Sequence, residues 1–522
     1  MKTEADMNNK FILGIEFGST RIKAVLIDDN AAPVAEGSHK WTNKLVDGMW
    51  SYSLEDIANG VRDSYAHLAE DYERKYGEPL TEVAAMGVSA MMHGYMAFDK
   101  DGNLLVPFRT WRNTCTERAS NELSELFNFH IPQRWTVAHF YEAILKNEPH
   151  VPYVEHIFTL ECYVHYMLTG ERVTGIGEAS GILPVKGNSY DPDMMSKFNA
   201  LIKEKGVDKD FETLIPRPLV AGECAGYLTE EGARWLDPTG RLKAGCMLCP
   251  PEGDADTGMV ATNCVSAGSA SVSAGTSAFV IIGLEKPLTR YYHEIDVLVS
   301  PTGVPMAMVQ VNNFCSEIDL WAGMFNEVLK LGGSQMTVGE LFEALYESTT
   351  TADHDCGGLI GYNFLSGEHL VNVERGVPLI ARSPEGKLTL ANFMKMQIYS
   401  ALGSLAIGME IFDKENVRIR NVYGHGGFFK SGYVPQSAMS AALGAPVTVM
   451  ENAGEGGAWG IAVLALYALC GKGSFEDFLN SLFADSKKST VEASETEKAD
   501  FKAFKERYRS AMGIEKLASK LI

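Results

Sequence analysis

Two short apolar runs open the chain, Phe11-Ile12-Leu13-Gly14-Ile15-Glu16-Phe17 and Ile22-Lys23-Ala24-Val25-Leu26-Ile27-Asp28, with Gly18-Ser19-Thr20 between them. Apolar runs of this length around a small-residue turn predict two buried strands joined as a hairpin with a hydroxyl-rich tip. The pattern returns half a chain later, where Ser269–Ala274 and Ala278–Ile282 flank Gly275-Thr276-Ser277. Two such units point to a duplicated architecture with one sheet in each half, although two unrelated hairpins would read alike. An apolar period near 3.6 predicts helices over Leu54–Tyr72, Glu117–Phe127, Val154–Leu168, Phe393–Phe412 and Gly456–Leu469. Further strands are predicted over Ala84–Ser89, Met306–Val311 and Asn421–Gly424. Strands alternating with long helices make this an α/β chain. The polar stretch Ala484–Asp500 reads as a surface helix or loop before a final helical tail.

A chain of 522 residues has room for more than one domain. Its 46% hydrophobic and 22% charged residues exclude wholesale disorder and fibrous repeats. The formal net charge of −21 makes nucleic acid an unsuitable partner, so an anionic ligand must be held locally by backbone N–H groups, a metal or a few cations. The N-terminus has early acidic residues and no signal-peptide pattern, and Ile461–Cys470 is too short an apolar run to span a membrane. Nine scattered cysteines read as reduced thiols in a cytoplasmic protein, with Cys246 and Cys249 as two half-buried thiols rather than a metal or redox pair.

Four segments combine glycine, hydroxyl and carboxylate groups in ways that suit phosphate. In the first hairpin, Gly18, Ser19 and Thr20 can direct donors at phosphate oxygens, Glu16 can hold Mg²⁺ through water, and Lys23 adds charge. Gly275, Thr276 and Ser277 repeat the device. In Gly253-Asp254-Ala255-Asp256-Thr257-Gly258 the carboxylate of Asp254 stands near a predicted helix start. It reads either as an N-cap or as the base that takes a proton from an attacking hydroxyl. Gly424-His425-Gly426-Gly427-Phe428-Phe429-Lys430-Ser431 fails both common nucleotide-loop patterns yet allows close approach of a flat or anionic group. Glu455–Ala462, with Gly456 at its start, reads equally as a surface for a nucleotide base or as tight helix packing.

In this order and spacing, the segments resemble the FGGY carbohydrate kinases of the actin-like ATPase superfamily, over Phe11 to about Gly471. The resemblance implies two ribonuclease H-like α/β domains flanking a central cleft, residues 1–260 binding sugar and carrying the base and residues 261–522 binding nucleotide. It implies Asp254 as catalytic base, Gly18, Ser19, Thr20, Lys23, Gly275, Thr276 and Ser277 around the phosphates, and Gly426, Gly427, Lys430 and Gly456 on the adenosine side. Ser89-Ala90-Met91-Met92-His93-Gly94 resembles the xylulokinase segment whose Met-His pair contacts the ketose, and Trp111-Arg112-Asn113 the segment that binds sugar hydroxyls. Leu168–Glu171 and Ala179–Gly181 fit the same domain.

The expected activity is ATP- and Mg²⁺-dependent phosphorylation of a small sugar, D-xylulose first, with ribulose, fuculose, glycerol or another polyol as alternatives. A catalytically silent binding protein on the same fold is the rival reading. The expected setting is cytoplasmic, without nucleic acid or membrane, and a homodimer is compatible with it. Glu16 replaces the usual Asp, Cys115 an arginine, and His139 and Glu142 a Lys and a Trp of the family signature, while Asp256 stands close enough in sequence to compete with Asp254.

Overall fold

The opening hairpin forms as its pattern predicts. Ile12–Phe17 and Arg21–Ile27 pair antiparallel, with Glu16 opposite Lys23, and Pro33–Lys40 adds a third antiparallel strand. Ala85–Ala90 then pairs parallel to Ile12–Phe17, and the short strands Met247–Leu248 and Glu252–Gly253 pair parallel to Ala85–Ala90. In this computed structural model, which describes residues 11–450, 456–471, 473–484 and 486–522, the second half repeats the arrangement. Ser269–Ala274, Ala278–Gly283 and Pro305–Val311 run antiparallel, and Asn421–His425 and Val447–Met450 extend the sheet in parallel from Ser269–Ala274. Both sheets therefore place a central hairpin strand between its antiparallel partners and the later parallel strands. Asp296–Val299 and Lys488–Val491 add an outer strand at each edge of the second sheet.

Each sheet buries its own core. One gathers Leu13, Ile15, Phe17, Ile57, Val61, Leu68 and Val88; the other gathers Val272, Val280, Val309, Phe314, Leu402 and Leu405. Leu54–Tyr76 lies so close to the first sheet that a side chain at Gly37 would collide with the backbone of Ser64. Its start carries a reciprocal Ser53–Asp56 capping box, and its end is turned by Gly77 at φ 75°. A third core, around Tyr95, Trp135, Phe140, Tyr141 and Phe198, belongs to helices inserted in the first half.

Helix Gly456–Cys470 follows the second sheet in sequence but packs on the first. Side chains at Gly14 and Gly87 would collide with Ala458 and with Ile461, so these glycines form the groove that accepts it. An apolar cluster of Ile12, Val25, Met259, Ile281, Leu298, Met306, Ile461 and Leu464 joins the two halves behind the cleft. No single helix among the described residues is long and apolar enough to cross a membrane.

Three expectations change. The helix predicted from Val154 starts only at Leu160, because His156–Phe158 pairs as a strand with Met96–Phe98 and extended Thr159 opens the helix. The polar stretch from Ala484 contains the edge strand Lys488–Val491, whose Lys and Ser side chains suit an exposed edge, and then the first turn of helix Glu495–Leu521. Cys246 and Cys249 are buried rather than half-buried, and burial pushes both thiols up, which disfavours the thiolate.

Candidate active site

Glu252–Gly253 leads directly into helix Asp254–Ala261, and the parallel pairing sets Gly253 opposite Ala90. The helix takes Gly253 as its N-cap, so the Asp254 side chain is not used as the cap. Its Oδ1 instead accepts the Met92 N–H at 3.2 Å. Burial raises the Asp254 carboxyl to about 6, moderated by that N–H and by N–H groups of its own helix start. A half-buried carboxylate poised near neutrality at a cleft is equipped to accept a hydroxyl proton. Asp256 is fully buried, whereas Asp254 is only half-buried.

Glu16 projects from the first strand toward the start of helix Gly456–Cys470, where Ala458 N–H donates to its Oε2 at 3.3 Å. Burial, reinforced by the charge of Asp254, raises Glu16 to about 7. Glu16, Lys23 and Gly456 line a space of about 600 Å³. A divalent ion would favour the ionised form of Glu16, and Mg²⁺ takes one or two protein carboxylates beside water and phosphate oxygens, so Glu16 fits that ion. Among the described residues no group of three or more His, Cys, Asp or Glu side chains is placed to hold a metal by itself.

The two hairpin tips are braced alike. Trp41 Nε1 donates to Gly18 O at 2.7 Å and Tyr52 Oη to Ser19 O at 2.6 Å, while Trp41 and Tyr52 stack on each other. In the other half, Cys315 N–H and Phe314 N–H donate to the carbonyls of Gly275 and Thr276 at 3.2 and 3.0 Å. Both turns are thus anchored through their carbonyls. Gly275, Thr276, Gly427 and Lys430 line a space of about 450 Å³ together with Phe342 and Tyr346, which supply an aromatic wall. Ser277 does not line it. Gly426, at φ 106°, lies against the Ala274 carbonyl where a side chain would collide, so glycine is required there. At the start of the later helix, side chains at Gly457 or Gly460 would strike Glu16 or Thr257, which makes tight packing the work of this small-residue segment. Glu455 lies outside the described residues.

On the other side of Asp254, His93 is buried at φ 68°, an unusual conformation for a non-glycine residue, and its N–H donates to Glu178 Oε1 at 2.8 Å. Burial holds its imidazole neutral. Met92 packs against Gly253, where a side chain would collide with it. Trp111 is 38% exposed, whereas Asn113 is buried with its carboxamide bonded to the backbone of Trp50 and Thr110. The structure therefore brings Met92 and His93 to Asp254 but gives Asn113 a role in holding loops.

Residues absent from the sequence reading complete this side. Trp135 Nε1 and His93 Nδ1 are buried polar atoms without a protein partner, and the two rings lie 6.1 Å apart. Arg134 forms an ion pair with Asp296 of the second sheet, to which His130 adds a contact at 3.5 Å. An aromatic next to a basic residue carries no motif, so only tertiary placement exposes them. Among the departures, His139 is buried, stacked on Tyr95 and neutral, Glu142 accepts Ala119 N–H and pairs with Lys146, and Cys115 is half-buried beside Met49.

The profile of the FGGY family of carbohydrate kinases, N-terminal domain, matches residues 11–236, and that of the C-terminal domain matches residues 270–469. The xylulose kinase of Bacillus subtilis is 22% identical over 479 residues, covering 90% of this chain and 89% of its own. The glycerol kinase of Thermococcus kodakarensis is 21% identical over 300 residues, covering 53% and 54%. A crystal structure of a xylulose kinase from Brucella ovis superposes with a TM-score of 0.78 at 17% identity, over 97% of this chain and 99% of the other. That of gluconate kinase from Lactobacillus acidophilus gives 0.79 at 16%, over 98% and 99%. Matched by both domain profiles over most of its length, the chain belongs to the FGGY family of carbohydrate kinases and is an ATP-dependent sugar phosphotransferase.

Proposed function

We propose that the chain transfers the γ-phosphoryl group of ATP to a hydroxyl of a free ketopentose, D-xylulose in particular. The observation that supports this reading is the Met92 N–H to Asp254 bond, which holds Asp254 beside the Met92-His93 pair. In this reading Asp254 takes the proton of a sugar hydroxyl as that oxygen attacks the γ-phosphorus in line, and ADP leaves. Gly18, Ser19, Thr20 and Lys23 from one half and Gly275, Thr276 and Ser277 from the other hold the phosphates. Gly426, Gly427, Lys430 and Gly456 border the nucleotide. Glu16 would hold Mg²⁺, which neutralises charge on the phosphate oxygens when bound. Met92, His93 and Trp111 face the sugar, and Trp135 Nε1 joins them as a donor. Nine free thiols support a reducing, cytoplasmic setting.

Glycerol, gluconate and fuculose kinases are also among the relatives, so the sugar is decided by assay. ADP release from ATP and Mg²⁺ is measured against ketoses, polyols, aldoses and aldonates. Stimulation by xylulose well above every other compound is expected. A stronger response to glycerol or gluconate would replace the substrate, and a flat panel with ATP bound would favour the silent binding protein.

A further inference from the structure

Behind Asp254, the first half buries four carboxyl groups together: Glu161, Glu178, Glu252 and Asp256, each exposed by no more than 1%. Glu252 accepts the N–H of Glu178 at 3.0 Å, at the start of helix Ile176–Ile182. Glu161 is bonded to Thr159. Glu178 uses Oε1 for His93 N–H, while its Oε2 and both oxygens of Asp256 have no donor from a neutral or cationic group. These orphaned oxygens both border Gly253. A Cβ built on Gly253 would lie 2.8 Å from Glu178 Oε2 and 3.1 Å from Asp256 Oδ2, and one on Gly177 would touch the same Asp256 carboxyl at 2.5 to 2.6 Å.

The groups facing Glu178 from the surrounding elements are acids: Glu161 and Cys162 from one helix, Tyr190, Glu252, and Asp256 with Asp254 beyond it. The buried imidazole of His93 stays neutral. Two adjacent buried carboxylates without a cation cannot both be ionised, and the arrangement that satisfies most lone pairs is one proton between them. Glu178 accepts the His93 N–H at 2.8 Å, which favours its ionised form, whereas the Gly253 N–H near Asp256 falls short of hydrogen-bond geometry, so Asp256 is the better holder of the proton.

We propose that Asp256 carries a proton it shares with Glu178, and that this acid–carboxylate hydrogen bond fixes the strained His93 loop to the helix that begins with Asp254. Asp256 and Glu178 are positioning residues. The first stands two places after the base, and the second holds the His93 backbone in its left-handed conformation, so sugar wall and base keep one geometry. The proposal rests on the kinase reading for its kinetic consequence but not for the hydrogen bond itself.

The test compares Asp256→Asn with Asp256→Leu. The Asn carboxamide still donates to Glu178 but has no proton to release; Leu fills the space and donates nothing. Asp256→Asn is expected to keep kcat and sugar KM close to wild type and to remove any loss of kcat at alkaline pH. Asp256→Leu is expected to raise sugar KM and lower kcat by ~10- to 100-fold, as misplacement of reacting groups does. Glu178→Gln, which can accept from His93 and donate to Asp256, should also be tolerated. Equal damage from Asn and Leu would overturn the proposal, as would loss of activity in Asp256→Asn as deep as in Asp254→Asn. Infrared spectroscopy reads the bond without catalysis: a protonated-carboxyl C=O band present in the wild type should be lost in Asp256→Asn. An unchanged band refutes the shared proton even if the chain phosphorylates no sugar tested, and a lost band in an inactive chain retains it while sending the substrate reading back to assay.

Discussion

Replacing Asp254 with Asn keeps the shape of the side chain, and its carbonyl can still accept the Met92 N–H, but the group can no longer take a proton. Turnover is expected to fall by ~10²–10⁴-fold with little change in ATP affinity, measured by ADP release and by nucleotide titration. Retained turnover would remove Asp254 from the chemistry. The pH dependence has a definite sign. As the proposed base Asp254 must be ionised, and burial raises its carboxyl to about 6. Accordingly kcat/KM is expected to drop about tenfold per unit below that pH and to level off above it. A profile flat through pH 6 would assign the acid limb elsewhere. Glu16 lies in the same field, raised to about 7 by burial and by Asp254. Glu16→Gln should therefore raise the Mg²⁺ concentration needed for half-maximal rate, a shift that titration with the metal reads directly.

The hairpins were legible because their tips are local: two seven-residue runs rich in apolar side chains around a short turn define both strand and register without reference to the rest of the chain. The proximity of Asp254 to the Met92-His93 segment rests on the Met92 N–H bond, which joins residues 162 positions apart. The strand at His156–Phe158 was not legible, since three aromatic and β-branched residues next to a helix look like its first turn until Met96–Phe98 is there to pair with them. Nor were Trp135 and Glu178, whose importance arises from partners more than 40 residues away. The Asn113 carboxamide, expected at the sugar, makes three bonds to backbone that no local sequence pattern reveals. The small residues of Gly456–Cys470 had two readings, and packing accounts for them. Gly14→Val would drive a branched side chain into the Ala458 carbonyl. It is expected to destabilise by at least ~1–3 kcal/mol, the usual range for overpacking, and to disturb Glu16 two residues on. Thermal melting beside metal titration separates the two effects.

The two halves meet through the apolar cluster behind the cleft and, nearer the ligand side, through Arg134 and Asp296. The Arg134 guanidinium holds the Asp296 carboxyl well below its ordinary range. Such a bridge next to His93 ties the two halves together, so Arg134→Ala is expected to raise the ratio of ATP hydrolysis without sugar to sugar-dependent turnover. An unchanged ratio would confine the pair to a structural role. Helix Gly456–Cys470 has a broader consequence. Because a segment that follows the second sheet in sequence fills the groove at Gly14 and Gly87, the first half is without this helix until the second half has been made. A gene cut after residue 260 should yield an N-terminal fragment that aggregates when made alone. The same fragment should become recoverable when residues 261–522 are produced beside it in the same cell, so that the enzyme can be expressed as two polypeptides but not as two independent modules.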